Sequence, residues 1–235
     1  MEYIFGKNTI DSFIGNEMLL EVYLLPNFDD KKIIDKLKNN NIKTTIKDKG
    51  FFDKFSNGIK HQGIAGKIKD YEYYDLDEIT KSSRNYPFIV VLDGIEDPHN
   101  LGAIIRTCEA FKVDGIIISK NNCCPVNATV AKVSTGAIAN VKICQVTNIT
   151  QTLKALKKKG YWVYLAEAYN SQDYDKVDYK NPVVLVVGSE GFGISRLVKE
   201  QADFNIAIRQ YGKVNSLNVS VATGILISYI SIQHN

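Results

Sequence analysis

Short, continuous apolar segments alternate with helical patterns through residues 88–232. Apolar segments with the length of strands lie at 88–92, 115–119, 141–144, 161–166, 183–187 and 205–208. Helical patterns lie between them at 101–111, 128–139, 149–159 and 194–201, and a last helix is expected from residue 219. Strands that are apolar along their whole length are typical of a parallel sheet covered by helices on both faces. The alternation therefore predicts an α/β fold.

The first 70 residues predict a second, smaller α/β unit. Strands are expected at 20–25, 42–46 and 63–68, with a helix at 31–39. The segment from residue 71 to residue 86 is polar and acidic, and a proline follows it, which is typical of a break between elements. We therefore predict a unit over 1–70, a linker over 71–86 and a larger parallel-sheet domain over 87–235.

Composition excludes several classes of protein. With 235 residues, of which 45% are hydrophobic, the chain can bury a core. No apolar run approaches the roughly 20 residues needed to cross a bilayer, and the N-terminus lacks a signal-peptide pattern, so a cytoplasmic protein with no membrane partner is expected. Cys108, Cys123, Cys124 and Cys144 have neither CxxC spacing nor a nearby paired histidine, which predicts reduced thiols and no metal site.

Positive charge is concentrated in one stretch, although the net charge of the whole chain is only +3. Residues 31–69 contain eleven lysines against three aspartates, a local excess of eight positive charges. A lysine block of this kind gives affinity for nucleic acid, because it releases counterions from phosphates. On charge alone, a solvated lysine-rich face is the more common explanation, so the block leaves both alternatives open.

The first of three polar loops follows the strand at 88–92. Its run DPHN at 97–100 begins a helix, with Asn100 as an expected cap. About two turns into that helix, Arg106 lies among apolar neighbours, and an arginine in such surroundings requires an anionic partner. A bound phosphate and an internal salt bridge explain Arg106 equally well.

The second polar loop, GSEGFG at 188–193, follows the strand at 183–187. Its glycines let a ligand approach the main chain closely. The spacing is G-x-x-G-x-G, which is neither the G-x-G-x-x-G of dinucleotide folds nor a P-loop, and Glu190 disfavours a naked phosphate nearby. Taken alone, the loop is also compatible with an ordinary turn from strand to helix.

The third polar loop lies between the strand at 205–208 and the last helix. It contains Gly212 and the run NSLN at 215–218, which offers free backbone N–H groups and the side chains of Asn215 and Asn218 at one helix N-terminus. In open parallel sheets, ligands bind beyond the carboxyl ends of the strands. Because all three loops leave strands of the same predicted sheet, we expect them to form one site.

The three loops in this order, with the spacing from Asn100 to Arg106, closely resemble the motifs of the SpoU/TrmH branch of the SPOUT methyltransferases. The resemblance implies transfer of a methyl group from S-adenosylmethionine to an RNA ribose. It also implies a homodimer and a C-terminal trefoil knot, although true knots are nearly absent from folds in general. The fold class that it implies is a knotted parallel-sheet SPOUT methyltransferase domain with a smaller N-terminal α/β RNA-binding domain.

The N-terminal part shares the resemblance. YIFGKNTI near the start and HQGIAGKI at 61–68 look like the substrate-binding domain of the bacterial 23S rRNA guanosine 2'-O-methyltransferases. This implies rRNA as the partner and a guanosine ribose as the target. It also implies RNA contacts from Lys60, His61, Gln62 and Arg106.

The resemblance further assigns roles to residues of the three loops. The positions that match the family's catalytic residues are Asn100, Arg106, Glu190, Ser216 and Asn218. The positions that match its cofactor contacts, mainly through main-chain atoms, are Gly188, Ser189, Glu190, Gly191, Ile208, Ser216 and Leu217. Since guanidinium groups are poor bases, Arg106 is expected to hold the phosphate beside the target ribose. No metal is required.

One segment departs from the family pattern. A proline and small residues are common after the strand of the third motif, whereas this chain has Arg209-Gln210-Tyr211 and Lys213. The departure leaves the exact substrate open.

A tRNA ribose methyltransferase is a close alternative, although such enzymes usually carry basic terminal extensions on a bare catalytic domain. A non-catalytic RNA-binding or ribosome-assembly factor with the same fold is the alternative from another class.

Overall fold

The computed structural model describes residues 2–56, 58, 60–168, 170–213 and 216–234. The chain forms two compact units. The smaller consists of Met1–Glu72 and Val126–Asn140, and the larger of Tyr73–Pro125 and Val141–Asn235. Residues 126–140, expected within the methyltransferase domain, therefore belong to the compact unit of the N-terminal residues.

Strands and helices alternate along most of the described chain. The strands are β1 (Glu2–Phe5), β2 (Leu19–Leu24), β3 (Thr44–Ile46), β4 (Ile64–Ile68), β5 (Phe88–Asp93), β6 (Gly115–Ser119), β7 (Ile143–Val146), β8 (Trp162–Ala166), β9 (Gln172–Asp173), β10 (Val183–Gly188) and β11 (Phe204–Ala207). The helices are α1 (Lys7–Phe13), α2 (Lys31–Asn39), α3 (Lys49–Ser56), α4 (Leu76–Thr80), α5 (Pro98–Ala110), α6 (Ala128–Val133), α7 (Ile149–Lys158), α8 (Arg196–Lys199) and α9 (Val219–His234), with short 3-10 turns at Ala137–Ala139 and Tyr174–Lys176.

The smaller unit contains a mixed sheet in the order β1-β4-β2-β3. Strand β4 runs antiparallel to β1 and β2, whereas β2 and β3 are parallel. Consequently the carboxyl ends of β1, β2 and β3 and the beginning of β4 all lie at one edge of the sheet. The predicted helix at 31–39 is confirmed as α2, and the three predicted strands are confirmed with shifts of one or two residues at their ends. Strand β1 and helices α1 and α3 were not predicted.

Helix α2 shows how the sequence builds this unit. The Asp30 side chain accepts a hydrogen bond from the Ile33 N–H at 3.3 Å and so caps the helix. Ile33 and Leu37, one turn apart, are buried, while Lys31, Lys32 and Lys38 are exposed and Lys36 is partly buried. The strongly basic composition of 31–69 is therefore compatible with an ordinary amphipathic helix.

The larger unit contains a fully parallel sheet in the order β7-β6-β5-β10-β8-β11-β9. Its central strands are apolar because both faces are covered, and every residue of β10 is buried. Leu153 and Leu156 of α7 pack into the same core as Val184 and Val186 of β10. The predicted α/β fold with a parallel sheet is thus confirmed.

The segment 71–86, expected as a linker, is largely part of the larger unit. It contains α4, whose capping box joins Asp75 and Glu78, and the Asp75 N–H donates to Glu78 Oε2 at 2.8 Å. Ile79 of this helix is 1% exposed and packs against Gly115 at the start of β6. The sequence did not predict this short helix, because only Ile79 and the partly buried Leu76 among its acidic and polar residues pack against the core.

The segment 126–140 also differs from its expected form. Instead of one helix over 128–139, it contains α6, which ends at Val133, and a 3-10 turn at Ala137–Ala139. Gly136 between them has φ +80°, and a side chain there would meet the main chain of Ser12. Local helical periodicity could not predict this break, because the contact with Ser12 is distant in sequence.

Helix α9 supplies much of the C-terminal packing. Val219, Thr223, Leu226, Ile227 and Ile230 are buried along one side of it.

Across the described ranges, no helix combines the length and the apolar character that crossing a bilayer requires.

All four cysteines are buried free thiols. Burial, with a smaller effect of the neighbouring Cys124, raises the pKa of Cys123 to about 12. Burial also raises the pKa of Cys144 to about 11. A thiol that stays protonated is a poor nucleophile, which favours a packing role for these residues.

His234, the last residue of α9, lies among aromatic rings. Its ring centroid is 5.6 Å from that of Tyr86 and 5.8 Å from that of Phe88. Its Nε2 lies 2.8 Å from the Tyr179 carbonyl oxygen, and because a carbonyl only accepts, Nε2 carries the hydrogen. Desolvation lowers the pKa of His234, although the Tyr179 carbonyl opposes the shift.

This environment predicts a loss of stability in mild acid. Because the folded-state pKa lies below the unfolded one, the unfolded chain binds the proton more tightly, and stability falls as pH drops through about 6.5. We expect the thermal midpoint to fall between about pH 7.5 and pH 5.5, and His234→Gln to reduce that fall. His99→Gln is the control. An equal fall in both variants would contradict the assignment.

Candidate active site

A cleft of about 550 Å³ lies in the larger unit, where the carboxyl ends of β8 and β11 face the beginning of α9. Its apolar lining comes from Ala166, Ile206, Ile208, Leu217, Ala222 and Leu226. Its polar lining comes from Glu167, Ser171, Asp173, Arg209, Gln210 and Ser216. The volume falls within the range of small-molecule and cofactor sites, roughly 300–1,000 Å³.

Ile208, Ser216 and Leu217, three of the positions predicted to contact the cofactor, line this cleft. Two of them, Ser216 and Leu217, come from the loop before α9, and Ile208 directly follows β11. Asn215, also singled out in the sequence, lies outside the described residues. The glycine loop at 188–193 does not line the cleft and forms its own structure at the end of β10.

Asn218 joins the three loops through its side-chain amide. Its Nδ2 donates to Glu190 Oε1 at 2.7 Å and to Asn100 Oδ1 at 2.9 Å. Asn100 Nδ2 lies 3.3 Å from the same Glu190 oxygen. The predicted catalytic positions Asn100, Glu190 and Asn218 therefore form one hydrogen-bonded triangle, which is called the Asn-Glu-Asn network below.

The other end of the Asn218 side chain caps α9. Its Oδ1 accepts from the Ser220 N–H at 2.9 Å, the Val221 N–H at 3.3 Å and the Ser220 hydroxyl at 2.6 Å. These donors determine which end of the amide faces the helix and which faces Glu190. The cap thus orients the Asn218 amide as well as stabilising the helix.

Glu190 lies at the positive end of α9. In addition to the two asparagines, its Oε1 accepts from the Val219 N–H at 3.1 Å. A carboxylate at a helix N-terminus is favourable, because the free N–H groups and the helix dipole both attract it. Glu190 and Asn218 are nevertheless exposed, so the network is open to a substrate.

The glycine loop is a tight turn closed by its own main chain. The Ser189 N–H donates to the Gly193 carbonyl at 3.2 Å, and the Gly193 N–H donates to the Ser189 carbonyl at 3.0 Å. Gly191 and Gly193 have φ values of +97° and +67°, which glycine adopts without strain. A side chain at Gly188 would collide with the main chain of Gly193 and Ile194. Phe192, carried at the tip of this turn, is 96% exposed.

Asp93 belongs to the same region, although it is not among the residues that the sequence predicts for the site. It ends β5 and pairs in register with Gly188 at the end of β10. Its Oδ2 accepts from the Ser195 N–H at 2.8 Å, which ties the segment after the glycine loop to β5. The signal was present, since an acidic residue that directly follows a continuous apolar strand needs a polar partner.

Arg106 lies on the exposed side of α5, whereas Asn100, at the start of the same helix, is 9% exposed. The two residues are six positions apart, so they point in different directions around the helix. The predicted pairing of Arg106 with an RNA phosphate requires an accessible guanidinium, and the position meets that requirement.

The segment that departs from the family pattern lies at the mouth of the cleft. Arg209 Nη2 lies 2.6 Å from Asp173 Oδ2, and both residues line the cleft. The charge of Asp173, followed by that of Tyr211, raises the pKa of Arg209. Tyr211 itself is 89% exposed. Arg209, one residue of the segment that departs from the family pattern, thus has an ion-pair partner within the larger unit.

The predicted RNA contacts of the smaller unit divide into two kinds. Gln62 Oε1 accepts from the Lys7 N–H at 2.9 Å, at the start of α1. His61 Nδ1 accepts from the Gly63 N–H at 3.0 Å, and its ring lies 4.8 Å from that of Phe52. Both side chains therefore shape the loop before β4, whereas Lys60 is exposed.

Metal-binding groups are not gathered anywhere in the described part of the chain. Among the described residues, no group of three or more His, Cys, Asp or Glu side chains is placed to hold a metal ion.

Comparisons with known proteins agree with this architecture. The model of the SpoU rRNA Methylase family matches residues 87–228, and that of RNA 2'-O ribose methyltransferase substrate binding matches residues 3–74. A Staphylococcus haemolyticus protein assigned to the TrmH family of tRNA/rRNA methyltransferases is 40% identical over 233 residues, 95% of this chain and 92% of the relative.

Solved structures share the fold. The SpoU methyltransferase AviRb from Streptomyces viridochromogenes, in complex with the cofactor AdoMet, has a TM-score of 0.83 at 18% identity and covers 98% of this chain and 89% of its own. The A. aeolicus TrmH/SpoU tRNA modifying enzyme has a TM-score of 0.58 at 35% identity and covers 64% of this chain and 76% of its own.

The fold and the matches to the two family models identify the chain as an RNA methyltransferase with a substrate-binding domain. The chain belongs to the SpoU rRNA Methylase family, whose cofactor is S-adenosylmethionine. The resemblance inferred from the sequence is confirmed for the family, the fold and the cofactor. The 23S rRNA guanosine target, the homodimer and the trefoil knot stay predictions.

The glycine loop yields a direct test of the site's geometry. We expect Gly188→Ala to lower the free energy of unfolding by about 1–3 kcal/mol, because overpacking against held main chain forces a backbone shift. Gly212→Ala is the matched control, since a side chain there would have nothing within 4 Å. Chemical denaturation measures both variants. Equal stability of the two would contradict the close approach at Gly188.

Proposed function

We propose that this enzyme methylates a ribose 2'-hydroxyl of RNA at the Asn-Glu-Asn network. The observation that carries the proposal is the convergence of Asn100, Glu190 and Asn218 from three loops, next to the segment that lines the cleft. Ser216 and Leu217 line the cleft, and Asn218 follows directly in the chain. The pocket and the polar network are therefore adjacent along one short loop.

The cleft suits S-adenosylmethionine. Apolar side chains such as Ile206, Leu217 and Leu226 offer a surface for an adenine ring, and the chain near Ile208 offers main-chain hydrogen bonds. Main-chain groups of Gly188, Ser189 and Gly191 at the neighbouring strand end are proposed to complete the site. The cofactor, when bound, supplies a methyl group activated by a sulfonium.

The chain's own residues must orient the ribose and control the hydroxyl proton. Asn100 and Asn218 are held by Glu190, which fixes their amides before a substrate arrives, and such preorganisation lowers the barrier to an in-line attack. The Ser216 hydroxyl is exposed and is proposed to contact the ribose. The open side of the network faces solvent, which leaves room for an RNA strand.

Arg106 is proposed to hold the phosphate beside the target ribose. A guanidinium forms paired hydrogen bonds with phosphate and remains a cation, so its role is positional. Formation of the O–C bond would break the methyl–sulfur bond of the cofactor, and the proton of the 2'-hydroxyl would pass to a phosphate oxygen held by Arg106. This arrangement needs no metal ligand from the chain.

The substrate is proposed to be rRNA, with a guanosine of 23S rRNA as the target. The support is the match of residues 3–74 to an RNA 2'-O ribose methyltransferase substrate-binding model, together with the lysine excess over 31–69. A tRNA target is the second candidate. It is favoured by the 35% identity to the A. aeolicus tRNA modifying enzyme, whose likeness covers 64% of this chain. Mapping ribose methylation in both RNA classes, with and without the gene, separates them.

Arg106→Ala should separate cofactor binding from methyl transfer. We expect transfer to RNA to fall about 100-fold to 1,000-fold, because a positioned charge at the reacting group is lost. Affinity for S-adenosylmethionine, measured by calorimetry, should stay unchanged. Wild-type transfer by both Arg106→Ala and Arg106→Lys would contradict the assignment.

Ala168→Trp tests cofactor binding in the cleft, as Arg106→Ala tests methyl transfer. Ala168 lies at the rim and is exposed, so an indole can fill the cleft without disturbing the core. We expect its affinity for S-adenosylmethionine to fall at least about tenfold. If even the wild-type protein bound no S-adenosylmethionine, a non-catalytic RNA-binding factor would be the better account.

The enzyme is also proposed to be a homodimer that uses α9. From Val219 to Gln233 this helix has no charged side chain, yet Val221 and Ile232 are 51% and 68% exposed. An uncharged, half-exposed helix is unusual on a monomer surface and is typical of a covered face.

Ile232→Glu should therefore yield a monomer in sedimentation analysis, because a buried unpaired charge opposes association. Leu197→Glu on α8, at a residue that is 53% exposed, is the control and should leave the mass unchanged. A wild-type monomer would contradict the proposed dimer.

A further inference from the structure

Aromatic and basic side chains surround an open groove of the smaller unit. The groove lies between the end of β3 and helix α3 and has a volume of about 630 Å³. Its main lining residues are Ile46, Lys47, Asp48, Phe51, Lys54 and Phe55. It is called the α3 groove below. None of these residues is among the predicted RNA contacts at Lys60, His61 and Gln62.

The floor of the α3 groove is a group of packed rings. Phe51 and Phe55 lie 5.0 Å apart between centroids, and Tyr3 lies 4.9 Å from Phe55. The group is anchored in the core, because Phe51 is 4.8 Å from the buried Tyr23. At its outer side, Phe55 is 36% exposed and Ile46 is 58% exposed. A rigid apolar surface is therefore presented to solvent.

Two lysines lie over rings of this floor. Lys47 Nζ lies 5.8 Å from the centroid of the Phe51 ring, and Lys54 Nζ lies 5.3 Å from that of Phe55. The acidic member of the lining, Asp48, has a local partner, since its Oδ1 accepts from the Phe51 N–H at 2.9 Å. The cationic groups are thus the ones that a ligand lying on the rings would meet.

We propose that the α3 groove binds a single-stranded segment of the substrate RNA. One unpaired nucleobase stacks on Phe55 in place of the Lys54 ammonium, and Lys47 and the displaced Lys54 contact the adjoining phosphates. Aromatic platforms with a basic border are typical of single-strand binding, because every base has a stacking face and every linkage has a charge. The proposal rests on the proposed RNA methyl transfer and adds that the RNA is unpaired where it meets this unit.

The proposal predicts that base-paired RNA binds the α3 groove more weakly than single-stranded RNA. In a duplex, each base already stacks on its neighbours, so its face is unavailable to Phe55. A protein partner or a second copy of this chain would also cover the rings. The two lysines over the floor favour a polyanion, and residues 31–69 add a wider positive field.

Tryptophan fluorescence can report stacking in the full-length protein. The chain has a single tryptophan, Trp162, which starts β8 in the larger unit. In a Trp162→Phe background, Phe55→Trp supplies the only indole. We expect a 12-nucleotide oligouridylate to quench its emission and a blunt RNA duplex of equal length to quench it weakly. Unchanged emission, with oligouridylate binding verified by filter retention, would overturn the proposal.

Truncation of the ring measures how much the groove contributes. Because one stacked base is worth about 1–3 kcal/mol, Phe55→Ala should weaken oligouridylate binding roughly 5-fold to 150-fold, and Phe55→Tyr should preserve it. Lys47→Ala and Lys54→Ala should each reduce the salt dependence of binding by about one counterion. Lys38→Ala, in the same lysine block on α2, is the control for the change in charge.

The outcomes separate this proposal from the proposed reaction, because neither quenching nor affinity requires methyl transfer. If Phe55→Ala methylated RNA and bound it with wild-type affinity, the groove alone would be overturned. If oligouridylate quenched the emission of the Phe55→Trp variant, but the wild-type protein transferred no methyl group to any RNA, the groove would be supported and the reaction overturned. A change in sedimentation mass in Phe55→Ala, with RNA binding unchanged, would identify the groove as a protein contact and overturn the proposal.

Discussion

The parallel pairing of β5 with β10 is the constraint on which the larger unit depends. Phe88 pairs with Val183, and the register continues without a break to Asp93 and Gly188. Because the strands are parallel and buried, they end side by side, and the loops that leave them begin at one point of the sheet edge. The contact between the Asn100 and Glu190 loops follows from this register, although 90 residues separate the two.

The same constraint explains which parts of the fold could be predicted. A strand buried on both faces must be apolar at every position, so β5, β6 and β10 were evident in the sequence within a residue. Edge elements lack that requirement, and the two-residue β9 was missed. The sequence pattern predicted residues 126–140 as part of the larger domain, whereas they belong to the smaller unit. Their packing depends on contacts that are distant in sequence, such as that of Gly136 with Ser12, which no local pattern encodes.

The residues of the candidate site also differ in how far the sequence could predict them, and the reasons are physical. Asn100, Glu190 and Asn218 act through side chains that make the network, so their residue types carried a signal once three loops were considered together. Ile208 and Leu217, which line the cleft, are proposed to act through main-chain atoms. Any residue supplies such atoms, so only the family resemblance predicted these positions. Asp93 was missed for a different reason, since its partner is the N–H of Ser195, which is distant in sequence and has no distinctive residue type.

The departure after β11 places an ion pair among the residues that line the cleft. A proline restrains the main chain directly, whereas here Arg209 reaches Asp173 on the neighbouring strand β9. Exposed ion pairs stabilise little and are screened by salt, so this restraint is weaker and depends on ionic conditions. Ser216 and Asn218, which follow it, keep the positions that match the family. The chain therefore departs from the family pattern at residues that line the pocket, while Ser216 and Asn218 keep residue types that match it.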